Sequence, residues 1–304
     1  MPLPVHLEAI DFTDEEGTLV GLLGSSALAG KLHAEDLSQP RGGREQLLTG
    51  LKAAGLSEAS LLGASRGKES LAGYLELHIE QGPRLIKAGA QIGIVTGIVG
   101  IASYRITFTG RADHAGTTPM ADRLDASQGA SAFILTARKV VIKEYPECTV
   151  NVGALQLLPG AFNIVPARAE LDLELRSADS HTMKLLEARL LACAQEAAEK
   201  HNLGMETKHL GRHLPAEMSL GAQQTIAQAA EALGLKHLFL VSAAGHDAQS
   251  LVDLCPAGMI FIPSVGGASH SPREYSEWGD CVNGANVLLG AALRMATRAG
   301  AQAN

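Results

Sequence analysis

Cysteine is sparse and scattered. The four cysteines, Cys148, Cys193, Cys255 and Cys281, form no CxxC or similar cluster, which suits buried thiols in a reducing compartment better than a disulfide framework. Aromatic residues make up only 4% of the 304 positions, too few for the stacking platforms that single-stranded nucleic acids use. No Lys/Arg-rich run is present, and a net charge of −7 argues against nucleic acid or an anionic membrane as partner. The opening MPLPVHLEAIDF has no basic region followed by a long apolar stretch, so it does not read as a secretory signal. The most apolar region, IGIVTGIVGIASY at 92–104, is too short and too glycine-rich to span a bilayer. A soluble cytoplasmic protein is expected, with neither nucleic acid nor membrane as partner.

What is present is enough apolar material for a substantial core, with 46% hydrophobic and 19% charged residues, in one large domain or two ordinary ones. VHLEAIDF alternates like a strand, GSSALAGKL has the look of a short helix, and 43–54 reads as a second helix. A strand at 73–79, a helix ending at Gly89 and the strand IGIVTGIV follow. From about residue 100 the rhythm becomes β-α-β-β-α-β: SYRITFTG, a helix of about five turns, TVNVGALQLL, the strictly alternating ARAELDLELRS, an amphipathic helix and LGMETKHLG. That is the split pattern of a ferredoxin-like unit. After 212 strands again alternate with helices, through KHLFLVSA and AGMIFIPS to a terminal helix. The expected architecture is an α/β domain with a mostly parallel sheet flanked by helices. It is assembled from residues 1–99 and 213–304 and interrupted by a ferredoxin-like α+β insert at 100–212.

Four expected strands end in unusual polar groups: Glu15-Glu16-Gly17, then His78, Glu80 and Gln81 in LHIEQGP, then His246 and Asp247 in SAAGHDA, then His270 in IPSVGGASHSP. Ligands of open α/β sheets gather at carboxyl strand ends, and carboxylates with imidazoles suit a zinc-type divalent metal. Adjacent glutamates on extended backbone point in opposite directions, so one can ligate metal while the other serves as general base to an activated water. Each motif also has a plainer reading. DEEG can be an acidic turn, a lone His a hydrogen-bonded structural residue, GHDA a helix start and SHSP a turn. In the insert, His114 in TGRADHAGTTPM, Asn163 in AFNIVP and Arg176 in ELRS form a second polar group. Arg suits bidentate grip of a carboxylate, and His can stabilise charge on a carbonyl oxygen. Arg176 can equally be a surface ion pair.

DEEG, LHIEQGP, GRADHAGTTPMADRLDA, AGHDAQ and SHSP, in this order, resemble the hydantoinase/carbamoylase branch of the M20 metal-dependent amidohydrolases, over essentially the whole chain. The resemblance implies a zinc-exopeptidase-like fold with an inserted dimerisation or lid domain, and hence a homodimer. It implies two divalent metals per subunit, Zn, Mn or similar. It also implies hydrolysis of the C–N bond of a carbamoyl or ureido group in an N-carbamoyl-L-amino acid, β-ureidopropionate or allantoate-like carboxylate. By the same resemblance Glu15 looks like the general base, and Glu16, His78 and His270 like metal ligands. His114 would reach a partner's active site, Asn163 and Arg176 would grip the substrate carboxylate, and Gln81, Gly245 and His246 would line the pocket.

The family also carries an H-x-D motif and a Gly-rich loop with a bridging Asp ahead of DEEG, whereas only MPLPVHLEAIDFTD precedes Glu15 here. The expectation is a member with its front missing, leaving His78 alone on one metal and Glu16 with His270 on the other. A catalytically incompetent relative retaining dimerisation and carboxylate binding is the alternative.

Overall fold

The computed structural model describes residues 3–302. The chain forms two compact units. One comprises the chain up to Ile98 together with the chain from Ala216, and the other comprises Val99–Pro215. In the first unit, residues 3–12 form no strand. Their alternation has no core to face, since Leu3, Leu7 and Ile10 are exposed, and unpaired backbone groups do not hold a strand in water. Residues 13–16 are a turn. Helices α1 (Leu23–Leu28), α2 (Arg44–Ala53) and α3 (Glu58–Leu62) follow, then β1 (Tyr74–Ile79), α4 (Arg84–Ala88) and β2 (Ile92–Ile98). Leu23, Ala27, Leu37, Leu47 and Leu51 give the first three helices a small core of their own.

The second unit comprises β3 (Gly100–Thr109), α5 (Ala126–Glu144), β4 (Thr149–Leu158), β5 (Arg168–Ser177), α6 (Ser180–Lys200) and β6 (Gly204–His213). Its sheet has the order β4-β5-β3-β6 and is antiparallel throughout, the ferredoxin-like topology read from the sequence. The alternation of β5 buries Ala169, Leu171, Leu173 and Leu175 against both helices. Asp125 caps α5 through Ser127 N at 2.9 Å, and Asp179 caps α6 through Thr182 N at 2.7 Å. These side-chain oxygens satisfy amides that the first helical turn leaves open.

The chain then returns to the first unit through β7 (Ala216–Glu217), α7 (Leu220–Ala232), β8 (His237–Ser242), α8 (Ala248–Leu251), β9 (Ala257–Ile262) and α9 (Trp278–Gln302). Its sheet is mixed. β1 runs parallel to β9, and β2 parallel to β8, but β2 opposes β9 and β7. Helix lengths give the reason. At ~1.5 Å per residue, α4 and α8 span about 8 Å or less, too short to carry the chain back along a strand of about 20 Å. The 13-residue α7 is long enough, and β8 after it is parallel to β2.

Both faces of this sheet are covered, so all six residues of β9 are buried. Met259 and Phe261 pack with Leu85, Val95, Leu240 and Ala248 on one face. Ile260 and Ile262 pack with Ile92, Ile94, Ile226, Val287 and Ala291 on the other. β1 divides the same way: Leu75, Leu77 and Ile79 join the α7/α9 face, so the alternation turns Tyr74, Glu76 and His78 to the α4/α8 face. The four cysteines are free, three of them buried. Among the described residues no helix is long and apolar enough to cross a membrane.

The closest approach of α9 to the sheet depends on Gly284, where an added Cβ would lie 2.6 Å from Ile262 Cγ2 and 2.7 Å from Leu77 Cδ1. Gly284→Val should destabilise the protein by about 1–3 kcal/mol through overpacking, read as a lower denaturation midpoint at unchanged slope.

Candidate metal centre

The two adjacent glutamates sit in the 13–16 turn, so turn geometry rather than strand pleat separates their side chains. Asp14, in left-handed backbone at φ 59°, organises the turn. Its carboxylate accepts from Leu19 N (3.0 Å), Val20 N (2.7 Å) and Gly21 N (3.0 Å). Thr13 O further accepts from Gly24 N at the start of α1. The result sends Glu15 and Glu16 to different imidazoles. Glu15 Oε1 lies 3.5 Å from His246 Nδ1, and Glu16 Oε2 lies 2.9 Å from His270 Nε2.

His78 joins Glu15 and His246. The two imidazole centroids are 4.4 Å apart in an edge-on arrangement, and one ligand atom from each of Glu15, His78 and His246 falls within 4.8 Å of the others. The expectation that four carboxyl strand ends share one rim is not met, because β8 runs opposite to β1 and β9. His246 reaches His78 because residues 243–247 turn back over the sheet, with Ala248 N donating to Glu76 Oε2 at 2.7 Å. Phe261 stands beside both imidazoles.

Hydrogen bonds fix the histidines. His78 Nδ1 contacts Ile79 O at 2.8 Å, and His246 Nε2 contacts Ser242 Oγ at 2.8 Å. His246 Nδ1 is buried and makes no hydrogen bond, as is Asp247 Oδ1. Burial holds His246 below the ordinary imidazole value despite the Glu15 carboxylate, which favours the uncharged ring that a metal ligand requires. Burial also pushes Asp247 up to about 6 and Glu76 up to about 8, the latter partly offset by the Ala248 amide. A buried bare nitrogen beside a carboxylate and a second imidazole fits a divalent metal, and two His with one Glu is a set that zinc accepts.

Gln81 adopts left-handed backbone at φ 55°, and its N–H donates to Ser264 Oγ at 3.0 Å. Its neighbour Glu80 accepts from Arg84 N and Leu85 N at the start of α4, so part of the HIEQGP motif builds the turn that ends β1. His270 is likewise left-handed at φ 52°, with its N–H on Glu274 Oε2 at 3.0 Å. Gly245 lies in the 243–247 return.

In the second unit His114 and Asn163 are brought together. His114 bridges to Ile164, and Ala115 N donates to Asn163 O at 3.0 Å. Gly116 N and Thr117 N donate to His114 Nδ1, which leaves Nε2–H as the outward donor of an exposed imidazole. Arg123, missed in the sequence, ties this loop through Thr118 O and Ala115 O. Arg176 is not with them. It pairs across the sheet with Ile101 and Thr149, whereas His114 lies beyond the Thr109–Arg168 end, roughly 25 Å away at ~3.3 Å per residue. Its guanidinium bonds Glu174 at 2.8 Å, the ion pair its plainer reading anticipates.

The profile of peptidase family M20/M25/M40 matches residues 2–294. The chain belongs to this family. Among its M20 relatives, an N-carbamoyl-L-amino acid amidohydrolase of Geobacillus stearothermophilus is 37% identical over 284 residues, covering 93% of this chain and 69% of the relative. A ureidoglycolate hydrolase of Arabidopsis thaliana is 37% identical over 292 residues, covering 93% and 61%. Among solved structures, a hydantoinase/carbamoylase family amidase from Burkholderia multivorans superposes with a TM-score of 0.80 at 31% identity, covering 94% of this chain and 69% of that one.

The raised carboxyls give a pH dependence. Glu76 and Asp247 keep a proton in the native state at pH values where the unfolded chain, with carboxyls near 4, has lost it. Native stability therefore falls as pH rises from about 4 towards 8. Glu76→Gln, whose amide oxygen can still accept from Ala248 N, should flatten this fall. Thermal melts of metal-stripped protein between about pH 5 and 8 measure it, and an unchanged slope would show that Glu76 is ionised in the native state.

Proposed function

We propose that the chain is a metal-dependent amidohydrolase that cleaves the C–N bond of a carbamoyl or ureido group in a small carboxylate, an N-carbamoyl-L-amino acid or an allantoate-like compound. The observation that carries this reading is the divergence of Glu15 and Glu16, adjacent in sequence, onto separate histidines, His246 with His78 on one side and His270 on the other. Such an arrangement holds ions with some carboxylates and imidazoles while keeping a carboxylate in reach of the attacking water. The relatives that hydrolyse N-carbamoyl amino acids and ureidoglycolate support the substrate class.

Glu16, His270 and His78 are the groups that would hold divalent metal, two ions per subunit as in the family the motifs resemble. When bound, the metal supplies Lewis acidity that favours deprotonation of water and polarises a carbonyl. Glu15 takes the proton of the attacking water and hands it to the leaving nitrogen. His114, its Nδ1 already occupied by two amides, offers Nε2–H to the carbonyl oxygen as negative charge develops there. Asn163 and Arg176 grip the carboxylate, and Gln81 and Gly245 line the pocket.

One constraint favours a homodimer. His114 with Asn163 and Arg176 occupy opposite ends of one sheet, too far apart for a small substrate to touch both within one chain. If both serve one site, two subunits supply them. A mixture of His114→Ala and Arg176→Ala subunits should then regain turnover that neither variant has alone. No recovery after verified subunit exchange would separate these residues from a shared site.

Ammonia release from a panel of N-carbamoyl-L-amino acids and allantoate, with added Zn(II) or Mn(II), tests the activity. Glu15→Gln should lower kcat by about 10²–10⁴-fold. Absence of turnover across the panel by the unmutated chain would overturn the catalytic reading and leave the carboxylate-binding one.

A further inference from the structure

The protons around His78 and His246 can be assigned from their partners. Ser242 Oγ lies 2.9 Å from Ala244 O, to which it donates, and it accepts from Ala244 N at 3.2 Å. A hydroxyl has one hydrogen, so its 2.8 Å contact with His246 Nε2 is an N–H donated by the imidazole. With that hydrogen on Nε2, Nδ1 is the nitrogen left to act as a ligand. It faces Glu15 Oε1 at 3.5 Å and makes no hydrogen bond. In the same way the carbonyl of Ile79 only accepts, so His78 Nδ1 carries the hydrogen of the 2.8 Å contact and Nε2 is the nitrogen left to act as a ligand. One ligand atom from each of Glu15, His78 and His246 lies within 4.8 Å of the others, and on each ring the nitrogen not spent on Ile79 O or Ser242 Oγ is the one left to face the cluster. Lone pairs brought together away from water are mutually repulsive unless a cation lies between them.

We propose that His246 is a metal ligand rather than a wall of the substrate pocket, forming with His78 and Glu15 a three-donor site separate from the Glu16–His270 pair. The donor set is two imidazoles and one carboxylate, which zinc uses with a further position left open. The outer contacts agree, since a ligating imidazole gives its second N–H to a carbonyl or another acceptor that fixes ring and tautomer. Here Ile79 O and Ser242 Oγ fill that role. Glu15 offers Oε1 to the site, and its second oxygen remains for the proton-accepting role. His246 is 1% exposed, so its Nδ1 has no route to bulk water as an alternative partner. The inference rests on the metal dependence proposed above and not on the identity of the substrate.

Titration of the metal-stripped full chain with Co(II), followed by visible absorption against a competing chelator, tests it. The first equivalent should bind the unmutated chain and His270→Ala within tenfold of each other. His246→Ala should bind it more than 100-fold more weakly, beyond the 10–100-fold cost of losing an outer contact. In the unmutated protein with ¹⁵N-labelled histidine, Zn(II) should shift His246 Nδ1 while Nε2–H persists, a readout independent of any variant's folding. Binding by His246→Ala within tenfold of the unmutated chain, or an unshifted Nδ1 in the zinc-loaded protein, would overturn the proposal alone. Failure of the unmutated chain to bind Co(II) or Zn(II) would overturn the metal reading with it.

Discussion

The centre depends on a hydrogen bond beneath it. Glu76, on the α4/α8 face of β1, accepts from Ala248 N at 2.7 Å and from Tyr74 Oη at 3.2 Å. The first bond ties the start of α8 to the middle of β1. Residues 243–247 must therefore come back over the sheet after β8, and His246 is set against His78. The bond makes up for a topology that would otherwise keep the two apart, since β8 and β1 end at opposite edges. Its cost is a desolvated carboxyl, and the upward shift of Glu76 expresses that cost.

A second carboxylate does comparable work at the surface end of the site. Asp14 collects three successive amides and so curls the chain between Thr13 and Gly21. A charged acceptor for several backbone N–H groups makes a stiff anchor, and stiffness is what lets two neighbouring glutamates hold different partners. Neither Glu76 nor Asp14 touches substrate in the proposed reaction. Both are placed so that the residues which do can face one another.

Most of the fold was legible because burial leaves a periodic trace. β5 alternates Leu171, Leu173 and Leu175 onto one face, α5 and α6 begin at capping aspartates, and the β-α-β-β-α-β order needed only those signals. Strand direction in the first unit was less legible, because it follows from helix lengths that sequence blurs: α4 and α8 are single turns. VHLEAIDF misled for a related reason. Alternation reports a face that can be buried, and here none is. In the site, Glu15, Glu16, His78, His246 and His270 were all visible as polar groups following apolar segments. Their pairing was not, because it depends on a turn organised by Asp14 and a return organised by Glu76, each an ordinary acid in the sequence.

The composition of the buried cluster carries the last step. On one sheet face the chain gathers Glu15, Glu76 and Asp247 with His78 and His246, and no Lys or Arg forms an ion pair with any of them among the described residues. Burial away from water, reinforced by the neighbouring acids, makes such carboxyls hold their protons, which is the direction in which Glu76 and Asp247 move. Hydrogen bonds relieve only part of the strain, since His246 Nδ1 and Asp247 Oδ1 remain without partners, and native proteins leave few such groups buried. A core that served stability alone would be better filled with apolar side chains. The clustered acids and the buried atoms left without hydrogen bonds therefore fit the cation site proposed above, where a bound metal would satisfy what the protein's own hydrogen bonds leave open.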